Sequence, residues 1–207
     1  MTAAMSPLVA LLAGQEQPNR TDTRIMDTTR DLLIEHHAEI TVDQVAEQSG
    51  VSRATIFRRF GNKEALIERT IRRELRLGVE QTFQSMAAKS TAKARAIEFI
   101  SRAFELAVEH PVLRNQFAHS ASDLTRLGSS GTPSMLDTTR QAFADVLQLA
   151  VSESGQTPIL SPAIAADVLI HTIGGYALVP TANPRGDQSL TFRRMIEDLV
   201  EQLLIGH

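Results

Sequence analysis

The chain has 207 residues, 43% apolar and 22% charged, a composition that excludes disorder for most of its length. It contains no cysteine, which excludes disulfides, thiolate nucleophiles and the usual structural zinc sites. A formal net charge of −3 argues against nucleic-acid binding by the whole surface, but the charge is unevenly spread. Residues 51–76 carry eight basic side chains against three acidic, whereas residues 77–207 carry ten against thirteen. A local basic face on an acidic chain suits an anionic partner.

Residues 1–20 hold a short apolar run, "PLVALLAG", with no basic residue before it and too few residues to span a bilayer. They are expected to be a flexible tail on a cytoplasmic protein with no membrane partner. Beyond them the apolar spacing is helical nearly throughout, which predicts an all-α protein of about nine helices. A first helix starts near Thr23, with Ile25, Met26, Thr29, Leu32, Leu33 and His36 as its inner stripe. A second starts at Thr41, where "TVDQ" is a capping box, buries Val42, Val45 and Ala46, and stops at Ser49-Gly50. Ser52 is a fitting N-cap for a third short helix bearing Ile56, Phe57 and Phe60. Gly61 then stops that helix and Asn62 caps a long one along Leu66, Ile67, Thr70, Ile71 and Leu75. Further helices are expected at about 91–109, 112–118, 134–154, 162–178 and 189–204, with a Ser- and Gly-rich loop, "SASDLTRLGSSGTP", before the third of these.

Two short helices joined by a glycine turn, the second serine-capped and basic, form the pattern of a helix-turn-helix at about 42–61. The second helix of such a pair lies in the major groove of DNA with its N-terminal residues at base edges. Ile56 and Phe60 share one side and belong to a small core, which leaves Ser52, Arg53, Thr55, Arg58 and Arg59 for the outside. The stretch "ITVDQVAEQSGVSRATIFRRFGNKEALIERTI" resembles the DNA-binding signature of the TetR family of bacterial transcriptional regulators. The resemblance covers about a quarter of the chain.

It implies a DNA-binding domain over 21–76 and an effector-binding and dimerisation domain over 77–207. It also implies that Thr41, Phe57, Arg59 and Lys63 position the DNA backbone, while Arg53, Ala54, Thr55 and Arg58 are the candidates for base edges. The family commonly has tyrosine where this chain has Phe57, so one hydroxyl contact to phosphate is missing here. It often has histidine or tyrosine at the position of Arg59, whose guanidinium can bind phosphate instead. Lys63 is kept, beside a helix N-terminus that seats phosphate.

The partners then expected are a palindromic double-stranded operator, a second copy of the chain and a small-molecule effector of unidentified structure. The final helix, with Phe192, Ile196, Leu199, Val200, Leu203 and Leu204, has an apolar face wider than one core needs and is expected to join the preceding helix in a four-helix dimer bundle. Gly174-Gly175 inside an apolar helix calls for compensation, at a subunit interface or beside a ligand. An apolar or amphipathic effector is expected among the large side chains of the second domain: Phe83, Met86, Phe99, Phe104, Phe117, Met135, Phe143, His171 and Tyr176. The arginines from Arg69 to Arg76 read as a solvated face. Adjacent His36-His37 and scattered His110, His119 and His171 make no ligand-spaced cluster, so neither an enzyme, a metal nor a cofactor is expected.

Overall fold

The computed structural model describes residues 19–36, 39–114, 134–178 and 188–204, all helices and short connections, with no strand among them. The N-terminal residues 1–18, residues 115–133 (Phe117, His119 and the whole Ser- and Gly-rich stretch) and the side chains of Leu203 and Leu204 lie outside that description.

Helix α1 (Arg20–His36), α2 (Val42–Ser49) and α3 (Arg53–Phe60) pack with the first turns of α4 (Lys63–Ala87). Local chemistry sets each boundary. Thr41 Oγ1 accepts from the Gln44 amide at 3.2 Å while Gln44 Oε1 accepts from the Thr41 amide at 2.7 Å, the reciprocal pair of a capping box. α2 stops at Gly50, whose φ of +64° would strain a residue with a Cβ. Ser52 caps α3 by accepting from Thr55 at 3.2 Å, and Asn62 caps α4 by accepting from Ala65 at 2.7 Å. Ile25, Leu32, Leu33, Ile40, Val45, Ile56, Phe60, Leu66 and Ile71 bury into one core, and buried Thr29 bonds back to the Ile25 carbonyl at 2.8 Å. His36, expected on the buried stripe, is exposed, because α1 ends there and its last turn projects past the core.

α5 (Ala92–Phe104), α6 (Met135–Ser154), α7 (Pro162–Leu178) and α8 (Gln188–Leu204) form the second group, with α5 at its centre against α4, α6 and α8. α5 runs into a π-helical turn, Glu105–Glu109, which ends at His110-Pro111; the backbone is helical again at 111–114. The core of this group is aromatic. Phe104 stacks on Phe192 with centroids 3.8 Å apart and meets Tyr176 edge-on at 5.4 Å, while Phe99 lies between Phe83 and Phe143.

The expected boundary of 76/77 falls inside α4, which both cores share. Ile71 belongs to the first core and Met86 to the second, and Val112 and Leu113, far along the chain, are buried in the first.

On α8, Phe192, Ile196 and Val200 face this protomer's own core and Leu199 packs partly against it. Apolar side chains are exposed on α7 at Ile164, Val168 and Leu178, on α8 at Leu190 and Met195, on α6 at Leu136 and Leu149, and at Ile159 and Leu160 between α6 and α7. Gly174 and Gly175 face open space, so no packing within the protomer compensates for them. The arginine run is only partly a solvated face. Arg72 and Arg76 pair with Glu68 and Glu80 one turn away, but Arg73 is nearly buried, bonded to Asp27 and to the Thr23 carbonyl of α1. Arg69 caps the Arg59 carbonyl at 3.1 Å and lies 4.9 Å over the Phe60 ring. Both therefore tie α4 to the helices before it.

Candidate nucleic-acid interface

α3 is a two-turn helix with a sharp division of labour. Ile56 and Phe60 are buried, and Ser52, Arg53, Ala54, Phe57 and Arg58 are exposed, with Thr55 half-buried beneath the cap. The division follows from eight residues at 3.6 per turn, in which positions four apart share a side. Arg53, Ala54 and Arg58 therefore present a methyl group and two guanidinium groups at the open end of the motif.

The arginines are held differently. Arg53 Nη1 is 2.8 Å from Asp43 of α2, and its guanidinium lies 6.0 Å from the Phe57 ring centroid, so a carboxylate and an aromatic face restrict its rotamers. Arg58 is exposed and its side chain is in no ion pair of the described residues. Arg59 turns the other way: its Nη1 donates to Asp22 of α1 at 2.9 Å, and its Nε is buried with no hydrogen-bond partner. The guanidinium assigned to phosphate by resemblance is thus committed to the α1–α3 contact, and a phosphate at that position competes with Asp22. Thr41 Oγ1 is spent on its own capping box, leaving its surface position at the start of α2. Lys63 opens α4 immediately after the Asn62 cap, where the amides of the first turn concentrate positive potential.

Asp22 and Asp43 were not found by sequence reasoning. Asp43 was visible as an acidic residue in the first turn of α2, but its partner lies ten residues on, across a turn; Asp22 and Arg59 are 37 apart. Neither separation is a helical spacing, so only the fold brings them together.

Of the side chains expected to line an effector cavity, Phe83, Met86, Phe99, Phe104, Phe143 and Tyr176 come together in one cluster. Met135 packs against the first core, and His171 is exposed on α7 with Nδ1 2.7 Å from the Asp167 carbonyl. No group of three or more metal-ligating side chains is found among the described residues.

The fold and this face define a helix-turn-helix protein with a helical C-terminal domain. Residues 25–70 match the family model of bacterial regulatory proteins of the tetR family, so this part of the chain is similar to the DNA-binding segment of those proteins. An uncharacterized HTH-type transcriptional regulator of Bacillus subtilis, YvkB, is 43% identical over 49 residues, which are 23% of this chain and 26% of that protein. The match therefore spans about a quarter of the relative. Among solved structures, the regulator FadR of Bacillus subtilis in complex with stearoyl-CoA superposes with a TM-score of 0.65 at 18% identity, covering 89% of this chain and 99% of the other. A putative regulator of Saccharomonospora viridis in complex with choline gives 0.66 at 19% identity, covering 90% and 98%. These two likenesses concern the fold alone.

Proposed function

We propose that the protein is a dimeric, sequence-specific DNA-binding repressor that leaves its operator when a small molecule binds the C-terminal domain. The observation that carries the DNA-binding part is α3: a serine-capped helix whose two inner side chains are buried and whose Arg53, Ala54 and Arg58 face outward at its open end. Arginine pairs bidentately with guanine and an alanine methyl meets a thymine methyl, which makes these side chains base readers. Lys63 holds the backbone in register.

Dimerisation is supported by the outer face of α7. An apolar helix that buries Ala165, Ala166, Leu169 and Ile173 inward while exposing Ile164, Val168 and Leu178 has a second face to cover. Gly174 and Gly175, open on this protomer, allow a second backbone to approach closely. Two recognition helices related by a two-fold axis then read half-sites of a palindrome.

Ligand response is supported by continuity between the domains and by proteins of this fold solved with stearoyl-CoA or choline bound. α4 belongs to both cores, so a change in its angle changes the spacing of the recognition helices. By linkage, a ligand that favours the misspaced arrangement weakens DNA binding by the factor by which DNA weakens ligand binding; about 1–3 kcal/mol of coupling is a 5- to 150-fold effect.

The test is selection of bound duplexes from a random DNA pool by the purified protein at two salt concentrations. The expected result is one palindrome, with affinity falling steeply as salt rises. Recovery of no preferred sequence at either salt contradicts the reading.

A further inference from the structure

Asp43, in the first turn of α2, and Arg53, the first residue of α3, meet across the turn at the open end of the motif. Both oxygens of the Asp43 carboxylate lie on one nitrogen of the guanidinium, Nη1, at 2.8 Å and 3.0 Å. The two residues are ten apart, so no helical spacing relates them. Gly50, at φ +64°, and the Ser52 cap set the two helices at the separation that this contact spans.

The pair contributes little to stability. The Arg53 side chain is 58% exposed and that of Asp43 65%, and an ion pair so open to water is screened. A carboxylate on a surface that meets DNA also repels phosphate. Its place beside Arg53 is therefore explained by what it does to the arginine, and not by what it adds to the fold or to general affinity.

A guanidinium offers five N–H groups in one plane. With Nη1 on Asp43, the edge formed by Nε and Nη2 is left, and neither nitrogen has a hydrogen-bond partner among the described residues. That edge carries two parallel donors, the pattern that meets O6 and N7 of guanine. Phe57 restrains the group from a second side, its ring centroid 6.0 Å from the guanidinium carbon. Arg58, exposed on the same helix, is in no ion pair among the described residues, so the restraint belongs to Arg53 and not to the helix.

We propose that Asp43 is a specificity-determining positioning residue, which holds Arg53 so that its Nε–Nη2 edge reads a guanine in each half-site and keeps the same guanidinium off phosphate elsewhere. The inference rests on the DNA-binding reading above and deepens it by naming the base. The two effects of Asp43 have opposite signs: repulsion lowers affinity for DNA in general, while pre-organisation raises discrimination at one base pair. A residue that only supported the fold would raise affinity for every duplex alike. One that only repelled phosphate would lower it for every duplex alike.

The test is the binding of the parent, Asp43→Ala, Arg53→Ala and the double variant to the selected duplex, its single-base variants and a scrambled duplex of equal length. Arg53→Ala marks the base pair that Arg53 reads, which is expected to be G·C. A bidentate arginine–guanine contact is worth about 5- to 150-fold in discrimination, and Asp43→Ala is expected to lose about threefold or more of it at that pair alone. In the Arg53→Ala background the same change leaves discrimination as it was. Affinity of Asp43→Ala for the scrambled duplex holds or rises, because a negative charge is gone. Asp43→Asn, which keeps the shape but not the charge, is expected to shift discrimination in the same direction, so the result does not hang on the folding of one variant. Undiminished discrimination in both Asp43 variants, an equal loss on every duplex, a loss that persists without Arg53, or an A·T pair at the Arg53 position overturns the proposal and leaves the regulator reading standing. A parent that prefers no sequence overturns that reading, and this proposal with it.

Discussion

Arg53 and Arg59 lie on the same two-turn helix, yet one is offered outward on an aspartate tether and the other is drawn into the contact with α1. That difference is invisible in a motif, where both are basic positions on a basic helix, because it depends on which carboxylate the fold brings within reach. His110 is the residue with a readable pH consequence. Burial lowers its pKa from the ordinary 6.5, with Glu74 opposing and Arg30 reinforcing the shift. The unfolded chain then binds the proton more readily than the folded one, so the folded state is fully favoured above about pH 6.5 and loses stability as the pH falls below it. Thermal denaturation at pH 7.5 and 5.5 checks this: the parent loses stability on acidification, and His110→Gln loses less. An equal loss in both would assign the pH dependence elsewhere.

The short elements were the most legible part of the chain. The boundaries of α2, α3 and α4 are set by contacts three residues apart, Thr41 with Gln44, Ser52 with Thr55 and Asn62 with Ala65, so the sequence displays them directly. The same logic supplies a number. Ser52→Ala removes the side-chain acceptor at the start of α3 and is expected to cost about 1 kcal/mol of stability by denaturant titration, with a larger proportional loss of DNA affinity if α3 is the docking element proposed above. A stability cost without any loss of affinity would mean that α3 does not face DNA. α8 shows where legibility stops. Its apolar stripe was visible, but a stripe states that a face is covered and not by what; the stacking of Phe192 on Phe104 places part of it inside the protomer, while α7 keeps an exposed apolar face at Ile164, Val168 and Leu178. The π-turn at Glu105–Glu109 had no sequence signal either, because one extra residue in a turn leaves the apolar spacing nearly unchanged.

At the scale of the whole molecule, two cores share one helix and are knitted again by Val112 and Leu113, so the domains are mechanically continuous. The helix-turn-helix face was largely legible, whereas the open cleft between α4 and the π-turn was not, because its walls include Arg30, Glu74 and His110, which no spacing rule relates. Dimerisation through α7 gives a prediction at this scale. Val168→Glu places a charge in the middle of its exposed apolar face and is expected to shift the chain to monomer in sedimentation equilibrium, with a fall in affinity for a palindromic duplex but little change for a half-site. A dimer unaffected by this change would put the interface elsewhere.

The central claim, that α3 reads base edges, is tested most directly by measuring the affinity of the parent and of Arg53→Ala for every single-base variant of the selected duplex. The account predicts that discrimination falls by about 1–3 kcal/mol at one symmetry-related pair of positions and is retained at the others. A uniform loss across all variants, or a pattern identical to the parent's, would contradict it.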